Sequence, residues 1–135
     1  MHILVACKSV MKKDIENEDD IKLLVDTFYN SVNEDVLLSP VFNNFAKVDW
    51  EHHLPMMYNF WSTVLLGSMN YKGQPFPKHM NLPIQPAHFN RWIDLFTKAI
   101  DLLFSGEKAE EAKQKALNIA RIFQLKMGFT EKLSI

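Results

Sequence analysis

The sequence predicts an all-α fold with four main helices. Apolar residues recur three and four positions apart over four long stretches of the chain, which is the period of a helix that buries one face. No stretch shows the alternation of apolar and polar residues typical of a half-buried strand, and no repeat or low-complexity tract is present. A chain of 135 residues has the length of one domain.

The first predicted helix begins after Asn17 and ends near Asn33. The Asn17 side chain can accept a hydrogen bond from an N–H group of the first turn, so this residue can cap the helix. Its apolar stripe contains Ile21, Leu24, Val25, Phe28 and Val32. Tyr29 lies at the margin of the stripe, so its hydroxyl can point inward, although plain core packing explains the residue equally well.

The connection to the second helix contains a turn at Ser39-Pro40 and a short aromatic segment over residues 41–45. Asp49 can cap the helix that follows. Because Pro55 has no N–H group, either this helix kinks or a single turn over residues 50–53 precedes a main helix from about Pro55.

Two adjacent histidines lie at the start of this second helix. His53 falls on the apolar face, whereas His52, about 100° away around the axis, is expected to face solvent. The same face carries Trp50, Leu54, Met57, Trp61, Val64 and Leu65. A histidine satisfied within the core remains an alternative to a pocket residue at His53.

A long irregular connector, residues 67–85, follows the second helix and contains Gly67, Gly73, Pro75 and Pro77. Structureless connections of this length are uncommon in compact domains and are usually functional. His79 lies between Pro77 and Pro83, which both restrict the backbone, so its imidazole is held on a stiffened piece of chain. That placement suits a metal or cofactor ligand, and an ordinary loop histidine is the alternative.

The third predicted helix starts at Pro86, where the missing N–H group costs nothing, and ends near Phe104 before Ser105-Gly106. Its apolar face includes Phe89, Trp92, Ile93, Phe96, Ile100 and Leu103. The last helix is predicted from about Glu107 to Gly128. Its stripe contains Ala112, Ala116, Ile119, Ala120, Phe123 and Met127.

Composition excludes several classes of protein. Fifteen basic and sixteen acidic residues give a net charge of -1, which argues against nucleic-acid binding and against a polybasic membrane patch. The single cysteine, Cys7, excludes an internal disulfide and a cysteine-rich zinc site. The apolar run near the N-terminus is too short for a signal peptide or a membrane span, so we expect a cytoplasmic protein. We expect residues 1–13 to be a poorly packed extension and residues 14–130 to form the domain.

The aromatic content is high, with ten Phe, three Trp and three Tyr. Large flat side chains in a small domain line either a thick core or a pocket for a large flat ligand. Tyr29, His53 and Trp92 carry polar tips and are expected on inward faces or their margins. Several convergent donors in an aromatic surrounding are typical of a ligand pocket.

Short motifs follow one another in a specific order and spacing along most of the chain. They are Phe28-Tyr29, Pro40-Val41-Phe42-Asn43-Asn44, Trp50-Glu51-His52-His53-Leu54-Pro55, Asn59-Phe60-Trp61, Leu65-Leu66-Gly67, Tyr71-Lys72-Gly73-Gln74-Pro75, Lys78-His79 and Phe89-Asn90-Arg91-Trp92. In these motifs the chain resembles the truncated haemoglobins, from about Asp14 to Gly128. The glycine pairs typical of the other truncated groups are absent, which favours group III.

The resemblance implies a two-over-two helical globin around haem b. It implies that His79 is the proximal ligand of the haem iron and that the neighbouring Lys78 pairs with a haem propionate. Phe42 resembles the aromatic residue that packs on the haem face. His88 resembles a structural residue at a helix start.

The resemblance also implies a polar distal side composed of Tyr29, His53 and Trp92. Met57 resembles the apolar distal neighbour, and Trp61 the large aromatic of the same helix. Because an O₂ ligand carries partial negative charge on its outer atom, Tyr and Trp donors stabilise it by roughly 1.5–3 kcal/mol each. Slow release of O₂ suits oxidation of nitric oxide or reduction of peroxide, supported by a reductase, better than oxygen transport. We expect a monomer.

Two other interpretations remain open from the residues alone. The aromatics can belong only to the core of a haem-free helical interaction domain. Alternatively, His53, His79 and His88 can bind zinc, although no cysteine and no paired-histidine helix motif supports such a site.

Overall fold

The computed structural model describes residues 12–69, 71 and 82–128, and these residues form helices joined by irregular segments. The helices are α1 (Glu18–Glu34), a π-helical turn (Val41–Phe45), α2 (Trp50–Leu66), α3 (Pro86–Leu103) and α4 (Glu107–Lys126). The described ranges contain no strand. The prediction of an all-α fold with four main helices is confirmed.

Local sequence signals account for the start of α1. The Asn17 side chain accepts the N–H of Asp20 at 3.0 Å, so the predicted cap is confirmed. Acidic residues fill the first turn, where the positive end of the helix dipole stabilises them. The predicted apolar stripe is buried, and Tyr29 is buried with it.

The segment after α1 is more regular than predicted. Ser39-Pro40, predicted as a turn, is helical and leads into the π-helical turn, in which the Ala46 N–H reaches the Val41 carbonyl at 2.9 Å. The Asn43 amide donates to the side chains of Asn33 and Ser39, at 3.0 and 3.1 Å. Contacts with the end of α1 therefore stabilise a wide helical turn that local propensity does not specify.

The predicted separate turn over residues 50–53 is not found, because α2 runs continuously from Trp50 to Leu66 with Pro55 inside it. Proline this close to a helix start removes one backbone hydrogen bond, to the Glu51 carbonyl, and the remaining ladder continues. The predicted side-chain cap by Asp49 is wrong, since only its carbonyl takes part in the first turn. Gly67, with φ of 75°, ends the helix.

The helices pack as two pairs. Helix α1 contacts α2 and α3, and α4 contacts α3 and α2, so one pair lies over the other. The largest fully buried side chains at this junction include Phe28, Leu24, Leu65, Phe96 and Ile100. Buried alanines on α4, namely Ala109, Ala112, Ala116 and Ala120, let it approach its neighbours closely. This arrangement is the expected two-over-two sandwich.

The segment before α1 forms hydrogen bonds to the start of α4 and to the residues just before it. Asp14 accepts the N–H groups of Lys108 and Ala109 at 2.8 Å each, which caps α4 from a distant part of the sequence. The Ser105 N–H donates to the Lys13 carbonyl at 2.9 Å. Residues 1–11 lie outside the described residues, so the domain boundary at residue 14 stays a prediction.

Candidate functional site

A cavity between the two helix pairs brings together side chains from every helix and from the π-helical turn. Its lining is almost wholly apolar. The lining residues are Tyr29, Leu38, Val41, Phe42, His53, Met57, Phe60, Trp61, Ile84, His88, Phe89, Trp92, Ile119, Ala120 and Phe123. An aromatic-rich apolar cavity with a few polar tips is the usual form of a small-molecule or cofactor site.

Tyr29 brings a buried hydroxyl to this cavity from α1. Its ring lies 5.9 Å from that of Phe42 and 5.3 Å from that of Trp50, measured between centroids. Burial raises the pKa of its phenol, and neither a hydrogen bond nor a charge contributes to the rise. The hydroxyl is therefore neutral and makes no hydrogen bond to the rest of the described chain.

His53 lies in a cage of rings at the start of α2. Its imidazole meets Tyr29 at 5.4 Å, Trp50 at 5.5 Å and Phe42 at 6.5 Å, edge-on in each case. The Trp50 indole is itself fixed, because its N–H donates to the Asn43 side chain at 2.9 Å. His53 thus lines the cavity, whereas His52 is exposed and does not.

Trp92 forms one end of a stack of three rings whose two tryptophans line the cavity. Its ring lies 5.7 Å from Phe96 and nearly parallel to it, and Trp61 stacks on Phe96 at 4.7 Å. The edge of Phe28 meets Trp92 at 5.7 Å. Because Phe28 and Phe96 belong to the buried core, the position of Trp92 is coupled to the packing of α1 on α3.

His88 closes the first turn of α3. Its Nδ1 accepts the N–H of Gln85 at 2.9 Å, so the neutral ring carries its proton on Nε2. The side chain also lines the cavity. The expected structural role at a helix start is therefore observed, with the ring held in one orientation.

Six of the residues expected at the site line this one cavity: Tyr29, Phe42, His53, Met57, Trp61 and Trp92. Lys78 and His79 lie outside the described residues, so their predicted roles remain untested. Several apolar wall residues, including Leu38, Phe60 and Ile84, were not predicted as part of the site. Ile119, Ala120 and Phe123 had been assigned to the core stripe of the last helix, and periodicity cannot separate a core wall from a pocket wall.

A second, more polar cleft of about 330 Å³ lies between α1 and α2. Its lining is Asp26, Tyr29, Asn30, Asn33, Trp50, Leu54 and Tyr58. Tyr29 lines both spaces, so its ring separates the apolar cavity from this cleft. The Tyr58 hydroxyl bonds to the Asp26 carboxylate, and burial together with this bond raises the pKa of Tyr58 to about 12.

The ring-rich, mostly apolar lining of the cavity and its few polar side chains suit a mostly apolar ligand. A family model of bacterial-like globins matches residues 13–125. The chain belongs to the bacterial-like globin family. The group 3 truncated hemoglobin ctb of Campylobacter jejuni is 36% identical over 118 residues, covering 84% of this chain and 93% of that protein. The crystal structure of the group III truncated hemoglobin from Campylobacter jejuni superimposes with a TM-score of 0.79 at 35% identity, covering 87% of this chain and 95% of that one.

The resemblance to group III truncated haemoglobins is therefore confirmed, and this globin is a haem-binding protein that binds diatomic gases such as O₂. The residues present fit a haem, because the ring-rich lining matches an apolar macrocycle. The alternative interpretation as a haem-free helical interaction domain is therefore rejected. In the described ranges no three His, Cys, Asp or Glu side chains cluster as a metal site, so that part of the chain lends the zinc alternative no support. No helix in the same ranges is long and apolar enough to cross a membrane.

Proposed function

We propose that this globin holds haem b through His79 and acts on O₂ and related diatomic ligands. The observation that carries the proposal is the convergence of Tyr29, His53 and Trp92 on one predominantly apolar cavity. A neutral imidazole is a strong donor to haem iron. We propose likewise that Lys78, next to His79, pairs with a haem propionate, as the family resemblance implies.

Tyr29 and Trp92 are the main donors to the ligand in this proposal, and His53 is a secondary donor or gate. The hydroxyl of Tyr29 and the indole N–H of Trp92 make no hydrogen bond to other described residues, so both can donate to a bound ligand. Both side chains come from helices whose positions the core determines. His53 lies two residues before Pro55, whose missing N–H leaves the Glu51 carbonyl without a helical partner, and the gate role proposed for His53 rests on this gap in the helix.

Slow ligand release favours chemistry over oxygen transport. When bound, the haem supplies redox chemistry, and the chain supplies donors and excludes bulk water. We propose oxidation of nitric oxide or reduction of peroxide as the reaction class, with a reductase as the electron source. The apolar walls, among them Phe42, Met57 and Trp61, keep the three donors in a surrounding of low dielectric, where a hydrogen bond to a partly charged atom is strongest.

The assignment of His79 is tested by haem content. His79→Ala should lose most of the haem, and with it the intense Soret absorption band, because the iron loses its protein ligand. His52→Ala is the control, since His52 is exposed and does not line the cavity. Normal haem content with an unchanged ferrous spectrum in His79→Ala would show that another residue holds the iron.

The donor roles are tested by ligand release in Tyr29→Phe, Trp92→Phe and His53→Leu. Loss of a hydrogen bond to a charged acceptor, roughly 1.5–3 kcal/mol, should speed O₂ dissociation by about one to two orders of magnitude. Carbon monoxide accepts weaker hydrogen bonds, so its dissociation should change much less. Stopped-flow measurements of both gases separate the two cases.

Two results would contradict this ranking of donors. Equal acceleration of both gases would indicate a steric effect in place of hydrogen bonding. Acceleration of O₂ release by His53→Leu alone would make His53 the main donor.

A further inference from the structure

An ion pair joins the end of α1 to the first turns of α3. The Nε of Arg91 lies 2.6 Å from Oδ1 of Asp35, and the two residues are far apart in sequence. The Asp35 side chain is 4% exposed, whereas that of Arg91 is 44% exposed, so the carboxylate is the buried partner. Arg91 also lies 3.6 Å from Asp94, which holds Lys98 at 3.1 Å.

The second carboxylate oxygen of Asp35 shapes the wall of the cavity. Oδ2 accepts the N–H groups of Leu37 and Leu38, at 3.1 and 3.0 Å. Leu38 is buried and lines the cavity, and the π-helical turn with Phe42 follows directly. One carboxylate therefore holds both the cavity wall and the guanidinium of α3.

Each residue of this pair belongs to the helix, or to the helix end, that carries one of the two donors of the site. Trp92 follows Arg91, and Tyr29 lies on the helix that Asp35 terminates. The edge of Phe28 meets the Trp92 ring, so a shift of α3 along α1 moves the indole relative to the Tyr29 hydroxyl. An ion pair with one buried and one exposed partner adds little net stability as a rule, so its effect on geometry is the effect to test.

We propose that Asp35 and Arg91 are positioning residues for ligand binding, which set the distance between the Trp92 and Tyr29 donors. This inference rests on the proposed function, in which those two side chains stabilise the gas. Neither residue lines the cavity, so any effect on the ligand acts through Trp92, Tyr29 and the Leu38 wall.

The test compares Asp35→Asn with a matched control, Asp14→Asn. Both carboxylates accept backbone N–H groups near a helix end, and Asp14 lies at the start of α4 and does not line the cavity. Asp35→Asn should speed O₂ release roughly tenfold while CO release stays within about twofold, since part of a donor's effect is lost. Asp14→Asn should leave the rates of O₂ and CO release unchanged, although it lowers the stability of the fold about as much as Asp35→Asn does.

Arg91→Lys provides a milder variant if Asp35→Asn folds poorly. Lysine keeps the charge but not the planar fork of donors, so an intermediate O₂ rate is expected. A second measurement, the indole N–H resonance of Trp92 in NMR spectra without haem, should shift or broaden in Asp35→Asn and stay in place in Asp14→Asn. The resonance is assigned by its loss in Trp92→Phe.

The outcomes separate this inference from the proposed function. Wild-type O₂ rates in Asp35→Asn and Arg91→Lys, with fast release in Trp92→Phe, would overturn the positioning role and leave the donors intact. Equal effects of Asp35→Asn and Asp14→Asn would also overturn it, since general loosening would explain both. Slow release in Trp92→Phe and Tyr29→Phe would instead contradict the proposed function.

Discussion

At the scale of single residues, Tyr29 shows how burial determines chemistry. Its phenol is enclosed by rings, and burial raises its pKa above the ordinary value of 10.0. A phenolate would lie in a surrounding of low dielectric, which disfavours charge. The side chain therefore remains an O–H donor over the whole physiological range of pH. An exposed tyrosine would be partly ionised at alkaline pH.

We expect the contribution of Tyr29 to O₂ retention to be independent of pH. The ratio of O₂ dissociation rates in Tyr29→Phe and the unmodified globin should be constant from about pH 6 to about pH 10, because a raised pKa loses its effect only as pH rises through the folded value. Stopped-flow rates across that range provide the measurement. Tyr58→Phe is the control, because Tyr58 bonds to Asp26 and does not line the apolar cavity.

A ratio that falls toward one as pH approaches 10 would mean that the Tyr29 phenol ionises as an exposed phenol does. That result would contradict its burial at the cavity wall. An effect of Tyr58→Phe as large as that of Tyr29→Phe would show that the cleft between α1 and α2, and not the apolar cavity, determines ligand release.

At the scale of elements, α4 is capped by a residue outside it. Gly106 precedes the helix and has no side chain to offer, and Asp14 supplies the missing acceptor. A Cβ atom at Gly106 would come within 2.5 Å of the Asp14 carboxyl carbon, so the glycine also makes room for the carboxylate. The free N–H groups of the first turn thus bond to a distant segment.

Asp14→Asn should destabilise the globin in a pH-dependent way. Burial alone would raise the pKa of Asp14, but hydrogen bonds from the Lys108, Ile15 and Ala109 N–H groups lower it further than burial raises it. A lowered pKa stabilises the fold above the ordinary carboxyl range and loses this effect as pH falls through the folded value. We expect a deficit of about 1–2 kcal/mol near neutral pH that shrinks below about pH 4, measured by urea unfolding.

Asp49→Asn is the matched control for the cap. Asp49 also precedes a helix, yet its side chain makes no capping hydrogen bond, so the substitution should change the free energy of unfolding little. A deficit in Asp14→Asn that is the same at all pH values would show that the carboxylate charge plays no part. Equal losses of unfolding free energy in Asp14→Asn and Asp49→Asn would show that the stabilisation comes from helix dipoles in general and not from the capping bonds of Asp14.

At the scale of the whole molecule, the N-terminal segment has two parts with different expected roles. Removing residues 1–10 should leave the melting temperature and haem content within error, because they precede the first helix signal. Removing residues 1–14 also deletes Asp14 and should lower the melting temperature by roughly 3–10 °C, the equivalent of a lost helix cap in a domain of this size. Thermal unfolding of the two truncated chains is the measurement.

A large drop on removing residues 1–10 alone would show that they pack against the core, contrary to the predicted extension. No drop on removing residues 1–14 would show that α4 does not depend on its remote cap. The second truncation has an internal check, since Asp14→Asn in the full chain should account for part of its effect.

The sequence by itself determined the helices, because their signals are local. The spacing of Ile21, Leu24 and Phe28 predicts which face of α1 is buried, and the cap at Asn17 acts within one turn. The aromatic motifs also identified the family, which the similarity to known globins confirmed. Such features depend on residues within a few positions of each other, so they can be predicted without knowing how the helices pack.

Only the tertiary structure decided which distant residues meet. The bonds from Asp14 to α4 and from Asp35 to Arg91 join segments far apart in sequence, and neither has a local pattern. The π-helical turn is stabilised by bonds of Asn43 to the end of α1 and to Trp50. Whether an apolar residue such as Phe123 belongs to a core or a cavity wall depends on the space between packed helices, and one helical period specifies both equally well.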